Sequence, residues 1–216
     1  MGVQPIKREF TIDYGTRNHS FIRMYDILKK LGIKNNKFFL KLYDTKLMGV
    51  DPYDPNLSNE MKARILKEVT RNPWYYFREV VRIPVPGGWK KFELHRGNLA
   101  ILWCMLMNLN FIVVLPRQNY KTISVLCGYT WIYHFGTTNS NTIFSNKSAP
   151  DGDLNLQRFK DITELLPDYL KFADPKKDIN NVKYIKSAKN NNTIRVAPVP
   201  NDPESADKAG LKHGSL

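Results

Sequence analysis

Cysteine is scarce in this sequence: Cys104 and Cys127 are the only two among 216 residues. Both lie inside apolar segments, which is typical of reduced, buried cysteines in a cytosolic protein and excludes a small domain stapled by disulfides. A chain of this length buries a core without such support, and 42% hydrophobic residues exclude a disordered or fibrous chain. We expect one large domain, or one domain with a modest extension.

Long hydrophobic runs are missing as well. A membrane-spanning helix needs about 18 uninterrupted apolar residues, and the most apolar stretch, residues 99–115, is broken by Asn108 and Asn110. The N-terminal ten residues lack the apolar centre of a signal peptide. The sequence therefore predicts no membrane span, and the expected location is the cytoplasm.

Acidic residues are outnumbered by basic ones, 20 to 33, which gives a net charge of +13. The excess is uneven: residues 1–110 carry 19 basic and 10 acidic side chains (+9), and residues 111–216 carry 14 and 10 (+4). Because cations that meet phosphates gain from counterion release, nucleic acid is the natural partner and the first half its expected contact surface. The alternative is that these charges are solvated and keep the protein soluble.

Metal-binding patterns are absent too. The histidines are far apart in the sequence and lack metal-type spacing with Cys or Glu; they are His19, His95, His134 and His213. The sequence thus predicts no zinc site. Asp151 and Asp153 are interpreted as carboxylates that favour the start of a helix.

Hydrophobic periodicity predicts the order of helices and strands. Residues 20–31 and 59–72 are predicted helices, the second beginning at a Ser58 N-cap, and residues 83–89 a turn region. Beyond residue 94 the predicted order is helix 97–109, buried strand 111–115, loop 116–120, helix 121–135, strand 141–145, helix 154–166, and a pair of strands at 182–186 and 193–197. Alternating strands and helices imply an α/β fold with a mostly parallel sheet and flanking helices.

The most informative segment leads from a short apolar strand through a tight loop into a helix. In a P-loop, backbone N–H groups hold phosphate oxygens, a lysine neutralises the terminal phosphates and a hydroxyl ligates Mg²⁺. Lys121 and Thr122 match the last two groups, and Arg117 adds a cation. Leu115 and Tyr120 stand where the pattern G-x-x-x-x-G-K-[ST] has its two glycines. The alternative is an ordinary strand-to-helix turn with two solvated cations.

Flanking motifs, taken in order, resemble the ATPase domain of the large terminase subunit, the DNA-packaging motor of tailed bacteriophages. Residues 72–77 (NPWYYF) are similar to its Asn-Pro-x-Tyr-Tyr segment, and residues 92–98 (FELHRGN) to its adenine-side motif, Phe-x-Leu-Arg-x-x-Gln. Residues 116–122 (PRQNYKT) are similar to its deviant Walker A, Arg-Gln-x-Gly-Lys-[Ser/Thr], which already lacks the first glycine. Two departures remain: Asn98 replaces the Gln that reads adenine, and Tyr120 replaces the second glycine.

The resemblance covers roughly residues 70–216 and implies an incomplete P-loop NTPase domain of the RecA type, preceded by a helical lead-in at residues 1–69. It implies cofactors ATP and Mg²⁺, with Arg117 and Lys121 as catalytic residues and Thr122 holding the metal through ATP. The implied nucleotide-binding residues are Arg96 and Asn98 on the adenine side and Pro116, Arg117, Gln118, Asn119, Tyr120, Lys121 and Thr122 around the phosphates.

One part of the family's ATPase machinery has no match in the sequence. Residues 193–197 and 205–215 resemble the strand and Gly-rich loop that precede Walker B, where the family has an apolar strand ending in Asp-Glu. Hydrolysis needs those carboxylates for Mg²⁺ and for the attacking water. No apolar run here ends in an acidic pair, and these residues contain no match to the family's acidic nuclease domain. We expect a chain truncated before the Walker B strand and inactive alone, from a split gene or a partial sequence.

The implied partners are double-stranded DNA, the portal protein, the small terminase subunit and the rest of the large subunit on a second chain. The implied assembly is a homo-oligomeric ring in the host cytoplasm, without a membrane. An alternative of another class is a non-catalytic basic DNA-binding or assembly module on a decayed P-loop fold. A helicase-like ATPase unrelated to packaging is a third interpretation.

Overall fold

The computed structural model describes residues 10–116, 120–146 and 148–198. Helices and small sheets alternate along the chain, so the protein is mixed α/β. The chain divides into two compact units, residues 1–99 and residues 100–216. The sequence prediction placed its boundary between residues 69 and 70.

The first unit combines helices with two short antiparallel pairs of strands. Its helices are α1 (His19–Lys30), α2 (Asn59–Arg71) and α3 (Pro73–Tyr75), which continues as a π-helical turn, Tyr76–Val80. Its strands are β1 (Thr11–Ile12), which pairs with β2 (Lys41–Leu42), and β3 (Arg82–Val85), which forms a hairpin with β4 (Gly88–Lys91). Single 3₁₀ turns occur at Phe38–Leu40 and Thr45–Leu47.

Side-chain caps fix where α2 begins and where it is succeeded by α3. The Ser58 hydroxyl accepts a hydrogen bond of 3.1 Å from the Met61 amide, which confirms the predicted N-cap. Asn72 ends α2 and its Oδ1 accepts from the Tyr75 amide at 3.2 Å, so the same residue starts α3. The aromatic side chains of residues 74–77 are all buried and belong to the core of this unit.

A buried ion network lies inside the first unit. The Arg78 guanidinium pairs with Asp13 at 3.2 Å and with Glu79 at 2.9 Å, and it donates to the Phe39 carbonyl at 2.7 Å. The Arg78 side chain has no exposed surface. A charge is stable in such a place only when it is paired and hydrogen-bonded, so these partners are required by the fold.

The second unit places helices beside one four-stranded sheet. The helices are α4 (Arg96–Leu106), which begins in the first unit, α5 (Lys121–Trp131), which continues as a π-helical turn, Ile132–Gly136, and α6 (Ala149–Glu164). The strands are β5 (Asn141–Asn146), β6 (Ile179–Asn180), β7 (Tyr184–Lys186) and β8 (Thr193–Pro198), in the spatial order β5-β8-β7-β6. A 3₁₀ turn, Asp168–Leu170, follows α6.

The prediction of a mostly parallel sheet is not met. Only β5 and β8 pair in parallel among the described strands, while β7 pairs antiparallel with both β8 and β6. The predicted adjacency of the last two strands is confirmed by the β7–β8 pair. The helix after β5 begins at Ala149, earlier than predicted, with Ser148 as its N-cap.

The predicted buried strand at residues 111–115 is wrong. These residues form no strand, and the side chains of Ile112 and Val114 are 93% and 90% exposed. Apolar β-branched residues favour a strand only where a neighbouring strand completes the hydrogen-bond ladder and covers the side chains. No neighbouring strand pairs with them in the part of the chain that the structure describes.

The predicted turn at residues 83–89 is also wrong in part, because most of it belongs to the β3–β4 hairpin. Arg82 pairs with Lys91 and Pro84 with Trp89, and the reversal uses Gly87 at φ 80°. Two prolines and two glycines gave these residues the composition of a loop. In a two-stranded hairpin each strand has an open edge, so proline is tolerated there.

Candidate functional site

The loop that resembles Walker A ends at the N-terminus of α5. Tyr120 is the N-cap of this helix and lies in the left-handed region, at φ 51° and ψ 20°. Glycine adopts that conformation freely, whereas an L-residue pays about 1–2 kcal/mol. Tyr120 therefore has the backbone conformation that glycine favours, at the position where the pattern has its second glycine. Its side chain is 50% exposed.

Lys121 closes the loop from the helix side. Its ammonium donates a 2.6 Å hydrogen bond to the carbonyl of Leu115. The two residues that frame the loop are thus in direct contact, and Pro116 between them is exposed. Three further predicted phosphate-binding residues, Arg117, Gln118 and Asn119, lie outside the described residues.

The first turn of α5 exposes a partial positive charge. The earliest bond within the helix runs from the Ser124 amide to the Tyr120 carbonyl at 2.9 Å, and the Tyr120 side chain makes no cap. The amides that precede this bond lie at the positive end of the helix dipole, a place that favours anions. Thr122, the second residue of the helix, is exposed.

Close packing holds α5 in position within the second unit. Leu126 and Cys127 are buried, and burial raises the pKa of the Cys127 thiol, so the sulfur is neutral and unreactive. A Cβ added at Gly128 would lie 2.7 Å from the Met105 methyl, which shows how closely α4 approaches this helix. Both cysteines of the chain are free thiols, as predicted, but only Cys127 is buried as expected, since Cys104 is half-buried.

On the adenine side, Asn98 has a structural role in the turn that starts α4. Its Oδ1 accepts from the His95 amide at 2.8 Å and its Nδ2 donates to the Glu93 carbonyl at 2.7 Å. The side chain is buried, so its amide holds the turn and does not face solvent. Arg96, the first residue of α4, is exposed, and burial lowers the pKa of His95.

The predicted site residues fall into both compact units. Arg96 and Asn98 belong to the first unit, and the residues around the phosphate-binding loop belong to the second. Within the second unit the structure brings together Leu115, Tyr120 and Lys121. Among the described residues, no group of three or more His, Cys, Asp or Glu side chains is placed to hold a metal ion.

Sequence reasoning missed a cation held between two aromatic rings in the first unit. The Arg82 guanidinium carbon lies 3.1 Å from the Tyr53 ring centroid and 3.5 Å from that of Trp89. The two rings are 6.5 Å apart and almost parallel, at 10°. The Trp-Lys-Lys run at residues 89–91 is the one sequence signal that could have directed attention to this place.

Comparison with known proteins gives no identification, since no protein-family model matches the chain and no curated protein matches it. In the part of the chain that the structure describes, no helix is long and apolar enough to cross a membrane.

Proposed function

We propose that this chain is the N-terminal, nucleotide-binding portion of a large terminase, the ATP-driven motor that packages DNA into a procapsid. The observation that supports it is the local geometry at the start of α5. A lysine is the first helical residue, a residue in the glycine conformation precedes it, and the lysine reaches back to the end of an apolar segment. These are features that a phosphate-binding loop requires.

The residues at this position fit a triphosphate. The ammonium of Lys121 is near the uncapped helix N-terminus, so both can act on the same anion. Its bond to the Leu115 carbonyl is a contact that a phosphate oxygen would replace, since a charge-assisted bond is stronger than one to a neutral carbonyl. Pro116, Arg117, Gln118 and Asn119 complete the proposed loop. Tyr120 occupies the glycine position without blocking the backbone conformation.

Metal binding is proposed at Thr122. Its hydroxyl is exposed on the first turn of α5 and is available to a hydrated Mg²⁺ that is also bound to phosphates. ATP with Mg²⁺ supplies the phosphoryl group whose transfer to water drives packaging. On the protein, Lys121 and Arg117 neutralise the charge that develops on the phosphoryl oxygens.

Hydrolysis is proposed to need residues from another segment. No strand among the described residues ends in an acidic pair, yet the attacking water and Mg²⁺ require carboxylates. The exposed side chains of residues 111–114 support a missing neighbour, because a strand inserted beside them would satisfy their backbone and cover Ile112 and Val114. We propose that the rest of the large subunit, on a second chain, supplies this strand.

The proposed setting is a homo-oligomeric ring in the host cytoplasm, with double-stranded DNA, the portal protein and the small terminase subunit as partners. A P-loop NTPase fold with a mostly parallel sheet belongs to this proposal. On this interpretation the β5–β8 parallel pair forms part of the completed sheet. The adenine-side motif contributes Arg96 on its exposed surface, with Asn98 as the residue that holds the turn.

A non-catalytic, basic DNA-binding or assembly module is the second candidate. The observation that favours it is the commitment of Asn98 to backbone bonds, which removes a base-reading group from the proposed site. This candidate predicts that Lys121 has no role in binding any ligand.

Paired lysine substitutions separate the two candidates. Lys121→Ala is compared with Lys183→Ala, which removes the same charge from an exposed position in the same unit. A fluorescent ATP analogue with Mg²⁺ measures nucleotide binding, and a labelled DNA duplex measures DNA binding. The terminase proposal predicts about 10-fold or greater loss of nucleotide affinity in Lys121→Ala alone, since charged hydrogen bonds contribute about 1.5–3 kcal/mol. Equal nucleotide binding by both variants would favour the second candidate.

A further inference from the structure

The guanidinium of Arg82 is held by its two faces, which leaves its edge for other contacts. Tyr53 and Trp89 cover the faces at 3.1 and 3.5 Å. Among the described residues, this guanidinium forms no ion pair with a carboxylate and no hydrogen bond with a carbonyl. The five N–H donors of an arginine lie in the plane of the group, so stacking fixes the direction in which they point without using them.

Arg82 is one of the residues that line a cavity of about 60 Å³. Three cations, Arg17, Arg82 and Lys91, line it together with the carboxylates of Asp51 and Glu79. A water needs about 10–15 Å³ of such volume, so the cavity has room for about four waters. This is room for one small group such as a phosphate.

Both carboxylates in the cavity already have partners. Asp51 accepts from the Arg17 guanidinium at 2.8 Å and from the Tyr53 amide at 3.0 Å. Glu79 pairs with the buried Arg78 at 2.9 Å and accepts a bond from the Thr16 hydroxyl. Neither carboxylate forms an ion pair with Arg82, although the charge of Asp51 attracts it. Lys91 uses one donor on the Arg17 carbonyl at 3.4 Å and keeps two others.

We propose that this cavity binds one phosphate of a DNA backbone, with Arg82 as the bidentate donor and Arg17 and Lys91 as flanking cations. Bidentate guanidinium pairs are the strongest hydrogen-bonded contacts that proteins make with phosphates. The proposal deepens the DNA-contact part of the proposed function, and it does not depend on the nucleotide loop.

The surroundings favour a polynucleotide over a free phosphate ion. Trp89 is 43% exposed beside the cavity, so its ring can lie against a sugar or a base of the same strand. Lys90 continues the basic run along β4. The first unit also carries most of the chain's excess positive charge, +9 of +13. A chain of phosphates uses these additional features, whereas a single small ion uses none of them.

The test measures binding of a labelled 30-base-pair duplex at a series of KCl concentrations. Each phosphate contact that is lost makes the slope of log K against log salt shallower by about 0.9. We expect Arg82→Gln and Lys91→Gln each to weaken binding about 5- to 20-fold and to reduce the slope by about one contact. The control is Lys30→Gln at the far end of α1, about 16 Å along the helix from His19, and we expect less than a 2-fold change.

Two further measurements guard against loss of the fold and against a different ligand. Arg82→Lys retains the charge without the planar fork and is expected to bind between the wild type and Arg82→Gln, with circular dichroism unchanged. Quenching of tryptophan emission by the duplex should decrease in Trp89→Phe. Slopes and affinities equal to those of Lys30→Gln would overturn the proposal, as would saturable binding of inorganic phosphate that displaces the duplex. Lys121→Ala is expected to bind the duplex normally, so failure here is distinct from failure of the nucleotide site.

Discussion

The ammonium of Lys121 donates a hydrogen bond of 2.6 Å to the carbonyl of Leu115, six residues earlier in the chain. This contact joins the two ends of the loop that resembles Walker A. In this contact the ammonium has a neutral partner, the carbonyl. A bound phosphate would take the place of that carbonyl and give the ammonium a charged partner. The proposed function depends on this exchange.

Tyr120→Gly tests whether the backbone at the helix start is suited to phosphate. Glycine removes the cost of the left-handed conformation, about 1–2 kcal/mol, but increases the entropy of the unfolded chain, so the free energy of unfolding should change by less than about 1 kcal/mol. Nucleotide affinity should rise several-fold, because a Cβ and a phenol no longer crowd the loop. The fluorescent ATP analogue and urea unfolding measure the two effects.

Asn139→Gly is the matched control, since Asn139 also has a positive φ, 58°, and lies outside the loop. It should leave nucleotide affinity unchanged. A rise of the same size in both variants would show that the effect is not specific to the loop.

Local signals in the sequence predicted several elements correctly. Ser58 marks the start of α2. This was predictable because a hydroxyl caps a helix through a short-range interaction, with an amide three residues away. The predicted helix at residues 121–135 begins at Lys121, as the structure shows. These features depend on residues close together in the chain.

Features that depend on distant partners could not be predicted. The apolar character of residues 111–115 indicates a strand, but a strand also needs a neighbour to pair with. Asn98 was assigned to adenine because its bonds to His95 and Glu93 are not visible in a motif. The stack of Arg82 between Tyr53 and Trp89 joins residues 29 and 7 positions away, and no spacing rule predicts it.

Ile112→Lys and Val114→Lys test the exposure of the apolar segment. Because these side chains are 93% and 90% exposed, each substitution should change the free energy of unfolding by less than about 0.5 kcal/mol. Ile194→Lys is the buried counterpart in β8, with no exposed surface, and it should unfold the second unit. Urea titration followed by circular dichroism gives the comparison. Large losses in Ile112→Lys or Val114→Lys would mean that the segment is packed in solution.

Substitution of Arg78 tests whether the stability of the fold requires the buried ion network. Arg78→Met leaves the carboxylates of Asp13 and Glu79 buried without their cation and should cost about 3–5 kcal/mol of unfolding free energy. Arg64→Met breaks more exposed pairs with Asp44 and Glu60 and should cost about 1 kcal/mol or less. Similar losses in the two variants would contradict the assignment.

His134 should make the second unit sensitive to acid. Its Nε2 lies 3.2 Å from the Thr163 hydroxyl, its ring stacks on Phe159, and burial lowers its pKa from 6.5 to about 4. The unfolded chain binds the proton more readily, so stability is full above about pH 6.5 and falls as the pH drops toward 4. The expected loss is about 1–3 kcal/mol.

His134→Phe keeps the aromatic stack and removes the titrating group. Urea unfolding between pH 7.5 and 4.5 should therefore show a shallower dependence in this variant than in the wild type. Equal dependence on pH in both proteins would assign the acid sensitivity to other residues.

The most direct test of the proposed function is a calorimetric titration of the chain with Mg²⁺ and ATP, combined with an assay for released phosphate. The account predicts weak, saturable binding that disappears in Lys121→Ala and persists in Lys183→Ala, with phosphate release close to the blank. Absence of binding at millimolar ATP, or rapid turnover by the chain alone, would contradict it.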